Sequence, residues 1–155
     1  MTDELARRVQ AALEPLPDET GGIAVVLATA AEPPALAVLS SGDVLIREDV
    51  VRVGIHASSS TVHRFGGSFS LLVPLGEVAA RVEALDGECR VEGDLALIEG
   101  RVSAVRATAE PPWLLELGFR PAEAGHPASP SHLSYWRAVR MWLAGELPKP
   151  PSPPG

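Results

Sequence analysis

Alternating apolar and polar positions dominate the middle of the chain. Residues 51–57 place Val51, Val53 and Ile55 on one side and Arg52, Gly54 and His56 on the other, the period-two pattern of a half-buried strand. Residues 68–75 repeat it with Phe69, Leu71, Val73 and Leu75, and residues 95–106 extend it, with Gly100 marking a bulge or tight bend. Residues 77–85 alternate as well, although their alanines and glutamates also favour helix. Asp86-Gly87 is expected to turn the chain. Upstream, residues 23–29 are apolar on both faces, as in a central strand. The turn AEPP leads to a second strand at 35–39, the turn SSGD occupies 40–43, and a short strand covers 44–46.

Helical spacing appears only at the two ends and in brief interruptions. Leu5, Val9, Leu13 and Leu16 recur at helix period behind the cap Thr2, and Pro15 and Pro17 stop that helix. Residues 58–65 read as one or two helical turns, capped by Ser58 and stopped by Gly66-Gly67. PPWLLELGF (111–119) predicts a short helix stopped by Gly118. In SPSHLSYWRAVRMWLAG (129–145), Ser129 caps, Pro130 opens, Gly145 closes, and Tyr135, Trp136, Val139, Trp142 and Leu143 make the apolar face. Consecutive strands with short turns predict a mainly β (α+β) fold. It is an antiparallel barrel of six or seven strands with flanking N- and C-terminal helices. One domain is expected over residues 1–147, with a proline-rich, extended and mobile tail at 148–155.

Composition narrows the partners. The chain has 155 residues, enough for a sizeable core, and a formal net charge of -7. Thirteen basic against twenty acidic residues argue against nucleic acid and against an anionic membrane surface, so an anionic ligand needs a local positive site. The single cysteine, Cys89, makes no internal disulfide and reads as a semi-buried thiol. MTDELARRVQ lacks the apolar core of a signal peptide, and no apolar run approaches the ~20 residues of a spanning helix. A soluble, cytoplasmic protein is the expectation. His56, His63, His126 and His132 fall at no compact ligand spacing, so no metal is expected. No Gly-x-Ser-x-Gly elbow points to a hydrolase, and GGSFS (66–70) lacks the lysine of a phosphate-binding loop.

The chemistry concentrates at 56–65. A strand that runs into Ser58, Ser59, Ser60 and Thr61 and then opens a helical turn offers hydroxyls and backbone N–H groups to an anion, and Arg64 adds a charge. A capped turn with a polar loop explains the same residues. Trp113, Trp136 and Trp142 read as packing residues of helices on the barrel, or as part of a dimer interface.

The strand-ending stretch VGIHASSSTVHRF, followed by FSLLVPL, VAARVEAL and LALIEGRVSAVRA, resembles the FMN-binding split-barrel superfamily. That superfamily includes pyridoxamine 5′-phosphate oxidases and flavin reductases. The resemblance covers roughly residues 22–107. It implies FMN as cofactor, held by His56, Ser58, Ser59, Ser60, Thr61 and Arg64, with Arg52 flanking from the strand. It also implies a homodimer, with FMN between two subunits, and oxidoreductase activity on an unnamed substrate. Flavin carries its own redox chemistry, so no nucleophile is required of the protein. The sequence departs from the oxidases in having no charge on its second strand and no lysine before Lys149. These departures support the alternative, a dimeric barrel without flavin that serves as a binding or scaffolding module.

Overall fold

A computed structural model describes residues 4–16, 22–76, 78–108, 118–119 and 130–153. Helix α1 (Glu4–Leu13) is followed by strands β1 (Gly22–Thr29), β2 (Ala35–Ser40), β3 (Val44–Arg47) and β4 (Val50–His56), then by the short helix α2 (Ser60–His63). Strands β5 (Phe69–Pro74), β6 (Ala79–Glu92), β7 (Leu95–Ala107) and the two-residue β8 (Gly118–Phe119) precede helix α3 (Pro130–Leu143). The main path is antiparallel throughout, in the order β2-β1-β5-β6-β7-β4-β3, with β8 beside β1. The expected antiparallel architecture of six or seven strands is present, with seven strands on the main path. Its two edge strands, β2 and β3, stand at opposite ends of that path and are joined in sequence by a 3-10 turn at Ser41–Asp43, where the two edges come together as a seam.

Alternation explains the core. Val25 and Leu27, Val51, Val53 and Ile55, Leu71 and Val73, and Val82 and Ala84 point inward and are buried in one cluster. A second cluster lies outside the sheet, where Val139, Trp142 and Leu143 of α3 pack on Leu95 and Leu97 of β7. Gly54 of β4 permits this approach, because a Cβ there would stand 3.2 Å from Val139 and 3.4 Å from the Trp142 ring.

Of the two readings open for 77–85, strand is the one found over residues 79–85, because Ala80, Val82 and Ala84 are buried at period two against β5 and β7. Two other local expectations change. Asp86-Gly87 does not end the strand. Asp86 adopts φ 54 inside β6, where the β6–β7 register shifts between Leu85 and Glu88. The Gly87 N–H is drawn to the Gly67 carbonyl at 2.6 Å, and Arg101 holds the Asp86 carboxylate at 2.9 Å, so the pair forms a bulge. The hairpin turns instead at Gly93, φ 65. The short helix expected at 111–118 falls mostly outside the described residues; Gly118 and Phe119 pair with Ile23 and Gly22 as strand.

Arg140 ties the ends of the chain to the seam. Its guanidinium donates to the Leu13 carbonyl at 2.6 Å, to the Ser41 carbonyl at 2.7 Å, and to the Glu14 carbonyl. The last carbonyls of α1 lack helical partners, and a cation satisfies them and the helix dipole together. Burial lowers the Arg140 pKa, while the charges of Glu14 and Asp43 hold it up. Its Nε is buried without a hydrogen-bond partner, which offsets part of the gain. Arg140→Met is expected to lose about 2–3 kcal/mol of stability, since each bond to a charged donor contributes about 1.5–3 kcal/mol and the stem is kept. Urea unfolding checks this, and an unchanged midpoint would show that the clamp is not stabilising.

Candidate functional site

The segment expected to grip an anion leaves β4 at one end of the seam. The Ser59 N–H donates to the His56 carbonyl at 3.0 Å and closes the turn. Ser59, and not Ser58, is the cap: its side chain accepts from the Thr61 N–H at 3.2 Å. Ser58 lies within that turn and is exposed, as are His56, Ser60 and His63. Thr61 is fully buried and its Oγ1 has no hydrogen-bond partner. Arg64 is half-buried, and its guanidinium donates to the Pro33 carbonyl in the loop between β1 and β2. Phe65 closes the segment against Phe69, with ring centroids 6.0 Å apart. The structure thus brings His56, Ser58 and Ser60 to the surface of one short segment, uses Ser59 and Thr61 inside it, and anchors Arg64 to the neighbouring loop.

Arg52 is not part of this group. It lies on β4 under α3, where its Nε meets Glu99 at 2.5 Å and its Nη1 donates to the Leu143 carbonyl at 3.1 Å. That bond satisfies the C-terminus of α3. Trp142 is likewise structural, its indole N–H donating to Glu92 at 3.0 Å. Cys89 is half-buried on β6, and burial raises its thiol pKa. Among the described residues no group of three or more histidine, cysteine or acidic side chains is placed to hold a metal. None of the described helices is long and apolar enough to cross a membrane.

Beside His56 the seam opens into a pocket of about 330 Å³. Val38 of β2 and Ile55 of β4 form apolar walls, Tyr135 and Trp136 of α3 close it, and Asp43 supplies a carboxylate. Asp43 is set by a capping box in the 3-10 turn. Its Oδ2 accepts from the Ser40 N–H at 3.0 Å and from the Ser40 hydroxyl at 2.9 Å, while Ser40 Oγ accepts from the Gly42 N–H at 3.2 Å. Burial pushes the Asp43 carboxyl above its ordinary pKa, against the Ser40 hydrogen bonds and the charges of His56 and Arg140, which pull it down. Burial, with the Asp43 charge, pushes the Tyr135 phenol up to about 12. A cleft holding shifted acids is where binding chemistry concentrates. Neither residue stands out in the sequence: SSGD reads as a turn and Tyr135 as apolar helix face. The one available signal was the S-x-x-D spacing of a capping box.

No protein-family model matches this sequence, and no curated protein matches it. Among solved structures, an F420 reductase superposes with a TM-score of 0.52 at 10% identity, over 68% of this chain and 98% of that one. The fold is a split barrel. Two further solved structures superpose with lower TM-scores. A Listeria innocua protein provisionally called a pyridoxamine 5′-phosphate oxidase gives 0.49 at 10% identity, over 69% of this chain and 100% of that one. The styrene monooxygenase flavin reductase of Pseudomonas putida S12 gives 0.46 at 15% identity, over 64% and 86%. At such identities the likeness concerns architecture alone.

The raised Asp43 pKa sets a pH dependence. The folded split barrel keeps this proton to higher pH than the unfolded chain, so it binds more protons just above the ordinary aspartate range. Stability therefore falls as pH rises through that window. Asp43→Asn has no proton to lose there and keeps an acceptor for Ser40. Its urea midpoint is expected to decline less than that of the wild type between acid and neutral pH. Parallel profiles would mean that Asp43 titrates alike in both states.

Proposed function

We propose that this split barrel binds FMN and works as a flavin-dependent oxidoreductase, with the phosphate held by Ser58, Ser60 and Arg64 and with His56 between phosphate and ring. The observation that carries this reading is the pairing at the end of β4: exposed hydroxyls on a short turn, directly beside an apolar-walled pocket that has His56 at its lining. A phosphate needs donors and a cation, and the ring needs an apolar slot with a few polar edges. Arg64 has no carboxylate partner among the described residues, so its charge is available to an anion in an otherwise acidic chain. Thr61 and Ser59 build the turn and do not reach the ligand. Bound FMN would supply hydride and single-electron transfer; the protein would supply placement and exclusion of water. The sequence resemblance and the architecture shared with an F420 reductase support this reading.

The spectrum of the purified protein tests it. After FMN is added and the excess removed, a retained flavin band is expected, and a flat spectrum would overturn the proposal. Arg64→Ala is expected to weaken FMN binding about tenfold, from loss of a charge-assisted bond of ~1.5–3 kcal/mol. A fluorescence titration giving equal affinities would remove Arg64 from the site. One observation favours the flavin-free binding module: β2 carries no charge along Ala35–Ser40. A melting temperature that FMN leaves unchanged would select that module, since a ligand of the folded state must raise it.

The proposed functional unit is a homodimer. Edge strand β2 turns Leu36 and Val38 outward, 66% and 74% exposed, beside Val26 of β1. An uncovered apolar edge is an aggregation hazard unless a partner covers it, and a second copy covers both edges at once. Val38→Glu is expected to convert the dimer to monomer in sedimentation velocity. A wild type that already sediments as monomer would refute the dimer.

A further inference from the structure

The chain beyond α3 is laid against the barrel. Gly145, φ 78, ends the helix: its N–H donates to the Trp142 carbonyl at 2.9 Å, and the Glu146 N–H donates to the Met141 carbonyl at 2.8 Å. This left-handed stop turns the chain back. Leu147 then packs on the cluster of α3 and β7. Residues 148–153 read PKPPSP. Burial along them repeats at a period of three: Pro150 and Pro153 are half-buried, and Lys149 and Ser152 are exposed. Three residues per turn is the repeat of a polyproline helix, so one ridge of it faces the protein.

Two cavities mark its course. Lys149 and Ser152 share a space of about 390 Å³ with Glu92 and Asp94 of the β6–β7 turn, and Lys149, the single lysine of the chain, is attracted by both carboxylates. That turn stands beside the end of β4, where the Ala57 N–H donates to the Asp94 carbonyl at 2.9 Å and His56 pairs with Leu95. Pro153 then reaches the seam pocket and lines it together with Ile55 and His56. The segment thus runs from the cluster of α3 and β7 to the wall of the pocket. Little holds it there. Among the described residues, none of 148–153 makes a hydrogen bond or an ion pair. Lifting it breaks few contacts. Four of its six residues are proline, so release gains little conformational freedom and the segment moves as a stiff piece. Proline also lacks the N–H needed to zip onto an edge strand instead.

We propose that residues 148–153 are a strap that gates the seam pocket: it pivots at Leu147, closes the pocket with Pro153 and lifts as one piece to admit a ligand. The strap rests on the reading of that pocket as a ligand site given above, but not on the ligand being FMN.

The test uses the full chain, ¹⁵N-labelled and without flavin, and a soluble nitroxide that broadens the NMR signals it reaches. The Trp136 indole N–H and the His56 amide report on the pocket, and the Val82 amide of the core is the reference. Pro150→Gly with Pro153→Gly unseats the strap. Broadening at the pocket is expected to rise at least about threefold, as when a minor lifted state becomes the major one, with the Val82 signal unchanged as the check on folding. A bis-maleimide joining Asp94→Cys to Ser152→Cys, in a Cys89→Ser background, holds the strap down. Broadening there is expected to be no greater than in the native chain. Equal broadening in the native, glycine and bridged proteins would overturn the proposal, as would greater broadening in the bridged protein than in the native one. A missing flavin band in the cofactor test leaves this readout intact, so the strap and the cofactor fail separately.

Discussion

The Arg140 guanidinium is the point on which the arrangement of this barrel depends. The sheet supplies its own cohesion along β2-β1-β5-β6-β7-β4-β3, but nothing in that ladder fixes how its two edges sit. Arg140 does so by collecting carbonyls from the end of α1 and from the 3-10 turn while riding on α3. Burying such a charge is costly unless acceptors surround it. Here the acceptors are main-chain oxygens: those of Leu13 and Glu14 lie at the end of α1, where helical partners run out, and that of Ser41 also accepts from the Val44 N–H. One side chain therefore meets two needs: the helix end is capped, and the seam acquires a defined width. Asp43, at the other end of the same turn, answers the positive charge without touching it in a salt bridge.

A defined seam is what makes a pocket possible. A closed barrel fills its interior with side chains, and the interior of this one is filled by Val25, Leu27, Leu71, Val73 and Val82. The seam pocket lies outside that core, where β2 ends, β4 ends and α3 crosses. The residues lining the space come from stretches about ninety-five positions apart in sequence, such as Ser40 and Tyr135. Their chemistry is set by burial and mutual charge more than by residue type, as the raised carboxyl of Asp43 and phenol of Tyr135 show.

This division also marks what can be read from sequence. Strand alternation is a local property, and it identified β4, β5 and β7, the hairpin pair β1 and β2, and the helix carrying Trp136 and Trp142. The short turn after β4 was legible because caps and glycine stops are local too. Only the capping serine moved, from Ser58 to Ser59. The seam was not legible. Gly42 and Gly54 look like ordinary turn and strand residues until α3 is laid over them. Asp86-Gly87 carries the signature of a turn, and only the neighbouring Gly67 carbonyl and Arg101 make it a bulge. Arg52 looked available for a ligand until Glu99 and the end of α3 claimed it.

The span of the clamp has a kinetic side. Arg140 and Leu13 are 127 positions apart, whereas the pairs β1–β2, β3–β4, β5–β6 and β6–β7 join neighbours in sequence. Loop-closure entropy makes contacts between distant segments the late ones. The hairpins can therefore assemble while both helices are still undocked, and the seam closes over a sheet that already exists. By the same asymmetry α3 can lift away without unzipping the ladder beneath it. The pocket then belongs to the last stage of folding, and the protein can open it without dismantling its own core.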